Sequence, residues 1–404
     1  MKKLSSFYEV RDRLLSHIQA IGKEQIRLED CGGRILGQDV TARENVPPFE
    51  RSPYDGYAFR ASDSKNASKE NPVTLRILEE IPAGGISHYA VTKGCAVKIL
   101  TGAPIPNGAD VVTPYEITEY TKETVTIFKT YESGSNIVRV GEDIKRGQIL
   151  AKCGTMIDAG LAGTLAGQNM EYPVVYGIPK IGIISTGSEL LSLGSEPEIG
   201  KIYNSNQYML RVAIQQLGCK PVVLGVVKDR AEQICQFLQK GLDTCDMVIL
   251  TGGVSVGDYD LTPLAMEMAG VRILQRGVDL KPGMACAFGV KNGKLVCGLS
   301  GNPVSAMINF HAIVSPVLRK LSGCKDFIPT EFPVTLWNSF EKKSHATRLL
   351  HGKLKVKHGR MGVFISKEQG NVVLSSMIEN NMIVIVPAGS GPLDAGTELK
   401  GFFI

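Results

Sequence analysis

Between residues 179 and 322, apolar β-branched runs alternate with stretches of helical apolar spacing. The runs KIGIIST (180–186), VVLGVV (222–227), MVILTGG (247–253) and VRIL (271–274) predict strands. Helices are expected from Ser205 to Leu217, where Gly218 stops the pattern, from Asp229 to Leu242, and from Thr262 onward. Such alternation implies a mostly parallel sheet covered by helices on both faces. Lys291-Asn-Gly-Lys294 predicts a hairpin turn joining ACAFGV to KLVCGL. Elsewhere the period changes. Phe7, Val10, Leu14, Leu15 and Ile18 follow helical spacing, so residues 1 to about 45 are expected to be amphipathic and helical until Pro47-Pro48 forces an extended segment. From Val73 to Ile149, the alternating runs TLRIL, AVKIL and TVTIF predict a small antiparallel β lobe. The tail from Pro333 to Ile404 returns to short strands with glycine turns. The expected fold is α/β plus β. Its divisions are an N-terminal helical and extended domain (1–45 with 140–177), a β lobe (46–139), an α/β domain (178–325) and a C-terminal β domain (326–404).

Length agrees with several domains, since 404 residues exceed one compact core. Lys plus Arg number 45 against 40 Asp plus Glu, with no long basic block. That balance suits anionic small molecules better than nucleic acid, which is not expected as a partner. The nine cysteines are scattered and never spaced C-x-x-C, so reduced thiols in a cytoplasmic protein are expected. No stretch of eighteen uncharged apolar residues occurs, so no membrane contact is expected.

Candidate chemistry concentrates from Asp246 to Asp260, where an apolar strand opens through Gly252, Gly253 and Gly257 onto Asp258 and Asp260. Glycines let backbone N–H groups turn toward an oxyanion, and carboxylates are hard ligands for Mg²⁺. Glu189 follows the first strand of the α/β region and Asp229 the second. Singly, each has a plain structural reading, Asp229 as an N-cap and Ser188 as a turn residue. Together with Asp258 and Asp260, they would repel one another unless a cation were bound, which favours a metal-assisted site at the carboxyl ends of the strands. Gly298-Leu-Ser-Gly-Asn-Pro303 precedes an apolar helix. It reads equally as a plain helix start, with Asn302 at the N-cap and Pro303 in the first turn, or as an anion site built on the N-terminal N–H groups with Ser300 and Ser305. Lys281-Pro-Gly283 tilts it toward an anion. Arg51 to Ala58 and Leu100 to Asp110 are turn-rich peptides whose acids and hydroxyls also suit a ligand loop.

One rival uses the same loop. Gly253-Val-Ser-Val-Gly257 fits the G-x-S-x-G nucleophile elbow, with Asp279 and His311 following in hydrolase order. Against a Ser255 hydrolase, Asp258 and Asp260 would crowd a developing oxyanion, and His311 lies within an apolar helix pattern.

The ordered strings SPYDGYAF, TGAPIPNGADVV, GEDI (Gly141 to Ile144), STGSELL, IYNSNQYML, TGGVSVGDYD, LKPG and GLSGNPVSA closely resemble MoeA-type molybdopterin molybdenumtransferases, the family that also supplies the E domain of gephyrin. The resemblance spans almost the whole chain and leaves no room for gephyrin's adenylylating domain. It implies Mg²⁺-dependent insertion of molybdate into adenylylated molybdopterin with release of AMP. It also implies that Asp55, Thr101, Glu189, Asp229, Asp260 and Lys281 are catalytic, with Glu189, Asp229 and Asp260 on the metal. Gly252, Gly253, Ser255, Ser300, Gly301, Asn302, Pro303 and Ser305 would bind the anionic substrate. A homodimer with a shared active site is implied too, as is contact with the adenylyltransferase and with molybdoenzymes. A non-catalytic scaffold like gephyrin's E domain is a second alternative, although a scaffold has no use for the acid cluster. The chain departs from the family pattern at Gly277 and Met284, where lysines are usual, at Ser300 for proline, and at His345 to His351 in place of G-R-x-x-F-x-R. Arg348 and His351 are the cations at hand to compensate.

Overall fold

A computed structural model describes residues 4–254, 261–357, 359–366 and 370–404. It divides into two compact units, one of residues 39–152 with 167–169 and the other of the remaining chain.

The larger unit is built on a six-stranded sheet in the order Lys220–Val227, Lys180–Thr186, Met247–Thr251, Lys294–Leu299, Ala287–Lys291, Arg272–Arg276. The first four strands are parallel and the last two antiparallel. Alternation along the strands splits the interior in two. Ile181, Ile183, Met247 and Ile249 face one core with the helices Phe7–Leu15, Ser205–Gln216 and Pro303–Asn309. Ile184, Val248 and Leu250 face the other, covered by Ala231–Thr244 and Leu261–Met268. The expected hairpin pairs Lys291 with Lys294 across Asn292 and Gly293, whose positive φ values of 51° and 76° give the turn the twist that antiparallel strands need.

The N-terminal expectation was too long. A helix covers only Phe7–Leu15, where Ser6 and Glu9 form a capping box and Phe7, Val10 and Leu14 are buried. Past Ile18 the apolar spacing lapses, and Gly22, Gly32, Gly33 and Gly37 make helix costly. The chain instead forms the strand Lys23–Gln25, antiparallel to Val174–Tyr176, and a short 3₁₀ turn at Leu28–Asp30. At the other end, Phe332–Thr335, Arg348–Lys357, Arg360–Ile365, Met382–Val386 and Glu398–Phe403 make an antiparallel five-stranded sheet around Phe340, Leu350, Val363 and Val384. Its other face supplies Leu349, Ile383 and Ile385 to the core of the first helix.

In the smaller unit the sheet order is Val111–Pro114, Gly56–Phe59, Cys95–Ile99, Val73–Ile81, Thr124–Ile127, Thr118–Tyr120. It is mixed, not antiparallel throughout, because Val73–Ile81 and Cys95–Ile99 run parallel. Residues 82–94, which hold Pro82, Gly84 and Gly85, return the chain to the start of the sheet instead of turning it back as a hairpin. The peptide read as turn-rich contains the buried strand Gly56–Phe59, with Tyr57 and Phe59 on one core and Ala58 on another.

Candidate functional site

The four parallel strands end on Val227, Thr186, Thr251 and Leu299, and the loops that leave them surround a cleft of about 1010 Å³. This is the edge at which open α/β sheets bind ligands. Glu189, Asp229, Gly252, Gly253, Ser300, Gly301, Asn302 and Pro303 all line it. Eight residues separated by more than a hundred positions are thus brought to one concavity.

Glycine is required at its floor. Gly252 adopts φ 97° and Gly253 φ 64°. A Cβ on Gly252 would lie 2.5 Å from the Thr186 carbonyl oxygen, and one on Gly253 would lie 2.7 Å from Thr262 Oγ1. The loop is held from both sides. Gly252 N donates to Leu299 O at 3.0 Å, and Thr262 donates from Oγ1 to Gly252 O at 3.0 Å and from N to Gly253 O at 3.1 Å.

The carboxylates occupy the neighbouring loops, both exposed to solvent. Asp229 Oδ2 accepts from Ser188 N at 3.1 Å and Oγ at 3.2 Å, so Asp229 organises the first loop instead of capping its own helix, whose N-cap is Arg230. Among the described residues, no three His, Cys, Asp or Glu side chains gather as a metal site. Asp258 and Asp260 lie outside the described residues, as does Ser255. Within them, Glu189 and Asp229 supply two hard oxygen ligands of the kind Mg²⁺ takes.

Other expected residues are not in the lining. Lys281 is exposed on the segment that bridges to Arg348, and Ser305 is buried on its helix, 4% exposed. Asn302 stands at the N-cap of Pro303–Asn309, but its side chain makes no capping bond; Asn302 N instead donates to Ser300 Oγ at 3.1 Å. In the smaller unit Asp55 and Thr101 are direct partners. Asp55 Oδ1 accepts from Thr101 N at 2.6 Å and from Thr101 Oγ1 at 2.7 Å.

Those two donors, the backbone one first, hold the Asp55 carboxyl below its ordinary range. Because the folded pKa is depressed, the contribution of this bond is present above the unfolded pKa and is lost as pH falls through the folded value. Thr101→Val keeps the amide donor and removes the hydroxyl, so the Asp55 titration should move upward toward the usual carboxylate value. A ¹³C NMR titration of the carboxyl reads this directly, and an unmoved midpoint would show that the hydroxyl bond contributes nothing.

Several lining residues were missed. Lys201 Nζ donates to Ser188 O at 2.6 Å, Asn206 Nδ2 donates to Gly301 O at 2.7 Å, and Asn204 caps the helix Ser205–Gln216 through Gln207 N at 3.2 Å. The signal was the string Asn204-Ser-Asn206, two amides astride a helix start, where one suffices for capping.

The hydrolase alternative lacks its relay. No hydrogen bond or ion pair joins Asp279 to His311; His311 sits 6.1 Å from the His351 ring, and burial pushes its pKa down to about 3. His351 is buried likewise, with a pKa lowered to about 4, so it is a neutral ring at pH 7 and not a substitute cation. It also shares the strand Arg348–Lys357 with Arg348 at an odd spacing, which puts the two on opposite faces.

The sequence and the fold both have known relatives. Residues 5–168 match the MoeA N-terminal region (domain I and II), and residues 182–320 match the probable molybdopterin binding domain. The molybdopterin molybdenumtransferase of Staphylococcus epidermidis is 34% identical over 391 residues, covering 97% of this chain and 93% of the relative. That of Bacillus subtilis is 33% identical over 399 residues, covering 97% and 92%. The crystal structure of the molybdopterin biosynthesis moeA protein from Pyrococcus horikoshii OT3 superposes with a TM-score of 0.85 at 29% identity, covering 100% of both chains.

Proposed function

The chain belongs to the MoeA family of molybdopterin molybdenumtransferases, and from that premise we propose that its cleft holds adenylylated molybdopterin while molybdate is inserted and AMP released. It is a transferase of molybdenum cofactor biosynthesis. The observation that supports the substrate assignment is the cleft itself, where a floor of two positive-φ glycines, Gly252 and Gly253, meets two exposed carboxylates. One part suits phosphate and the other a hard cation. Glu189, Asp229 and Asp260 would hold Mg²⁺, which when bound neutralises charge on the pyrophosphate link. Ser188 keeps Asp229 in place, and Lys201 ties the same loop through Ser188 O. The Gly252-Gly253 and Ser300-to-Pro303 loops take the phosphates. No side-chain nucleophile is needed, because the dithiolene sulfurs themselves attack molybdenum.

We assign molybdopterin binding to residues 178–325 and place the enzyme in the cytosol; no helix among the described residues is long and apolar enough to cross a membrane. Reconstitution tests the reaction. Protein, adenylylated molybdopterin, Mg²⁺ and molybdate together should yield a product that activates a molybdenum-free molybdoenzyme, and omitting molybdate should leave it inactive. Equal activation without the protein would remove the transferase assignment.

We further infer a homodimer in which Asp55 and Thr101 of one subunit serve the cleft of the other. Mixing inactive Asp55→Ala with inactive Asp229→Ala chains should restore about a quarter of wild-type activity. Random two-fold pairing makes about half of the dimers mixed, each with one complete cleft. Confirmed subunit exchange with no recovered activity would mean that the site is built within one chain.

A further inference from the structure

The parallel sheet has a second end. Its strands finish at the cleft but start at Lys180, Lys220 and Met247. The seven residues of Lys180–Thr186 set this amino edge about 20 Å from the cleft, at about 3.3 Å per residue. Two adjoining depressions lie here, of about 750 and about 800 Å³, which share Gly177, Ile178, Gln215 and Gly218. Their walls come from the strand starts, the ends of the helices Ser205–Gln216 and Ser315–Leu321, and the segments 21–24, 33–35 and 154–156.

Charge sets this groove apart. Lys23, Arg34, Lys180, Lys220, Arg319 and Lys325 line it against only Glu24 and Asp326, although the whole chain carries 45 Lys plus Arg against 40 Asp plus Glu. Glu24 is already engaged, since Arg34 Nη2 holds it and also donates to Tyr176 O at 2.7 Å. The other five cations make no ion pair among the described residues. Lys180 and Lys220 are also Cα partners on adjacent parallel strands, which sets like charges side by side on one face. Asp246 does not relieve them, because its Oδ2 accepts from Lys180 N at 2.7 Å. In the same lining Ile178 is 44% exposed and Met156 56%, and the Tyr176 ring lies 5.3 Å from Lys23 Nζ. A solvated lysine is commonplace. Five unpaired cations around one concavity that also exposes apolar side chains form a surface suited to a partner.

We propose that this groove docks an acidic segment of a partner protein, in which carboxylates alternate with apolar side chains. The carboxylates would pair with Lys180, Lys220, Arg319 and Lys325, while the apolar side chains would cover Ile178 and Met156. Two connected depressions, each within the roughly 300–1,000 Å³ usual for a small ligand, favour an extended chain over a single small anion. A second copy of this chain is a poor occupant, because a two-fold contact here would set the cations against themselves. With the groove a strand's length from the cleft, a partner can stay docked while the cleft works.

Fluorescence polarisation of the full chain with a labelled peptide of repeating Glu-Glu-Leu tests this. Binding should saturate at low salt and weaken steeply between roughly 50 and 300 mM salt, as screening of exposed charges requires. Lys180→Glu/Lys220→Glu and Lys325→Glu should each bind at least about tenfold more weakly. Arg319→Gln should bind several-fold more weakly, and it keeps the test open should a charge reversal fail to fold. Lys240→Glu is the control: it changes net charge as much as Lys325→Glu does, but lies exposed on the helix Ala231–Thr244, outside the groove, and should bind like wild type. Reconstituted transferase activity should be unchanged in every variant. No binding at low salt, or equal weakening by Lys240→Glu, would overturn the groove. Displacement of the peptide by AMP or inorganic phosphate at equal concentration would make this a small-anion site, and tighter binding of a single-stranded oligonucleotide of equal charge would make it a nucleic-acid site; either would overturn the acidic segment. A changed native mass in the lysine variants would make the face a contact between copies, and a parallel loss of transferase activity would tie it to the reaction, each overturning the docking role.

Discussion

Asp229→Asn is expected to lower turnover at least about tenfold, a loss of roughly 1.4 kcal/mol in transition-state stabilisation, and to raise the Mg²⁺ concentration needed for half-maximal rate. Asparagine keeps one oxygen that can still accept from Ser188 N and Oγ, the two bonds made by Asp229 Oδ2. Loop geometry is therefore preserved while the charge is removed, which isolates the electrostatic contribution. Adding Glu189→Gln should deepen the loss to about a hundredfold, although two ligands of one cation need not act additively. Steady-state rates across a Mg²⁺ titration check both variants. Wild-type rates with an unchanged Mg²⁺ midpoint would detach the carboxylates from the metal.

Gly252→Ala should be the most damaging small substitution in the cleft. Its φ of 97° is unfavourable for any residue with a Cβ, and that Cβ would meet Thr186 O at 2.5 Å and Thr186 Oγ1 at 2.6 Å. Strained backbone and overpacking together cost roughly 2–5 kcal/mol, a large part of the roughly 5–15 kcal/mol that stabilises a domain. Gly293→Ala is the matched control. Gly293 also has positive φ, 76°, but nothing lies within 4 Å of an added Cβ, so its cost should be limited to about 1–2 kcal/mol of backbone strain. Urea unfolding separates the two, and equal midpoints would show that the Thr186 contact relaxes freely.

Sequence periodicity captured the α/β domain because its strands are buried on both faces and its helices on one. Continuous runs such as 180–186 and spaced runs such as 205–216 then differ plainly. It failed where local pattern and long-range pairing diverge. Val73–Ile81 and Cys95–Ile99 have the composition of hairpin strands, and only the path of residues 82–94 makes them parallel. Phe7 to Ile18 has a helical stripe, but nothing in that stripe marks the end at Leu15. In the cleft, Glu189, Asp229 and the glycines were legible because strand ends converge by topology. The pairing of Asp55 with Thr101, and of Lys281 with Arg348, joins positions 46 and 67 residues apart in irregular or edge segments, for which no period exists. Ser305 looked like an anion ligand from its place after Pro303, yet its helix turns it inward.

The central claim, that this cleft couples molybdenum insertion to loss of the nucleotide, is tested most directly by measuring both products in one reaction. Protein is incubated with adenylylated molybdopterin, molybdate and Mg²⁺, and AMP and pterin-bound molybdenum are quantified together over time. One AMP should appear per molybdenum incorporated, with both dependent on Mg²⁺ and both depressed in parallel by Asp229→Asn. Molybdenum incorporated without AMP release, or AMP released at the same rate when Mg²⁺ is chelated, would contradict it.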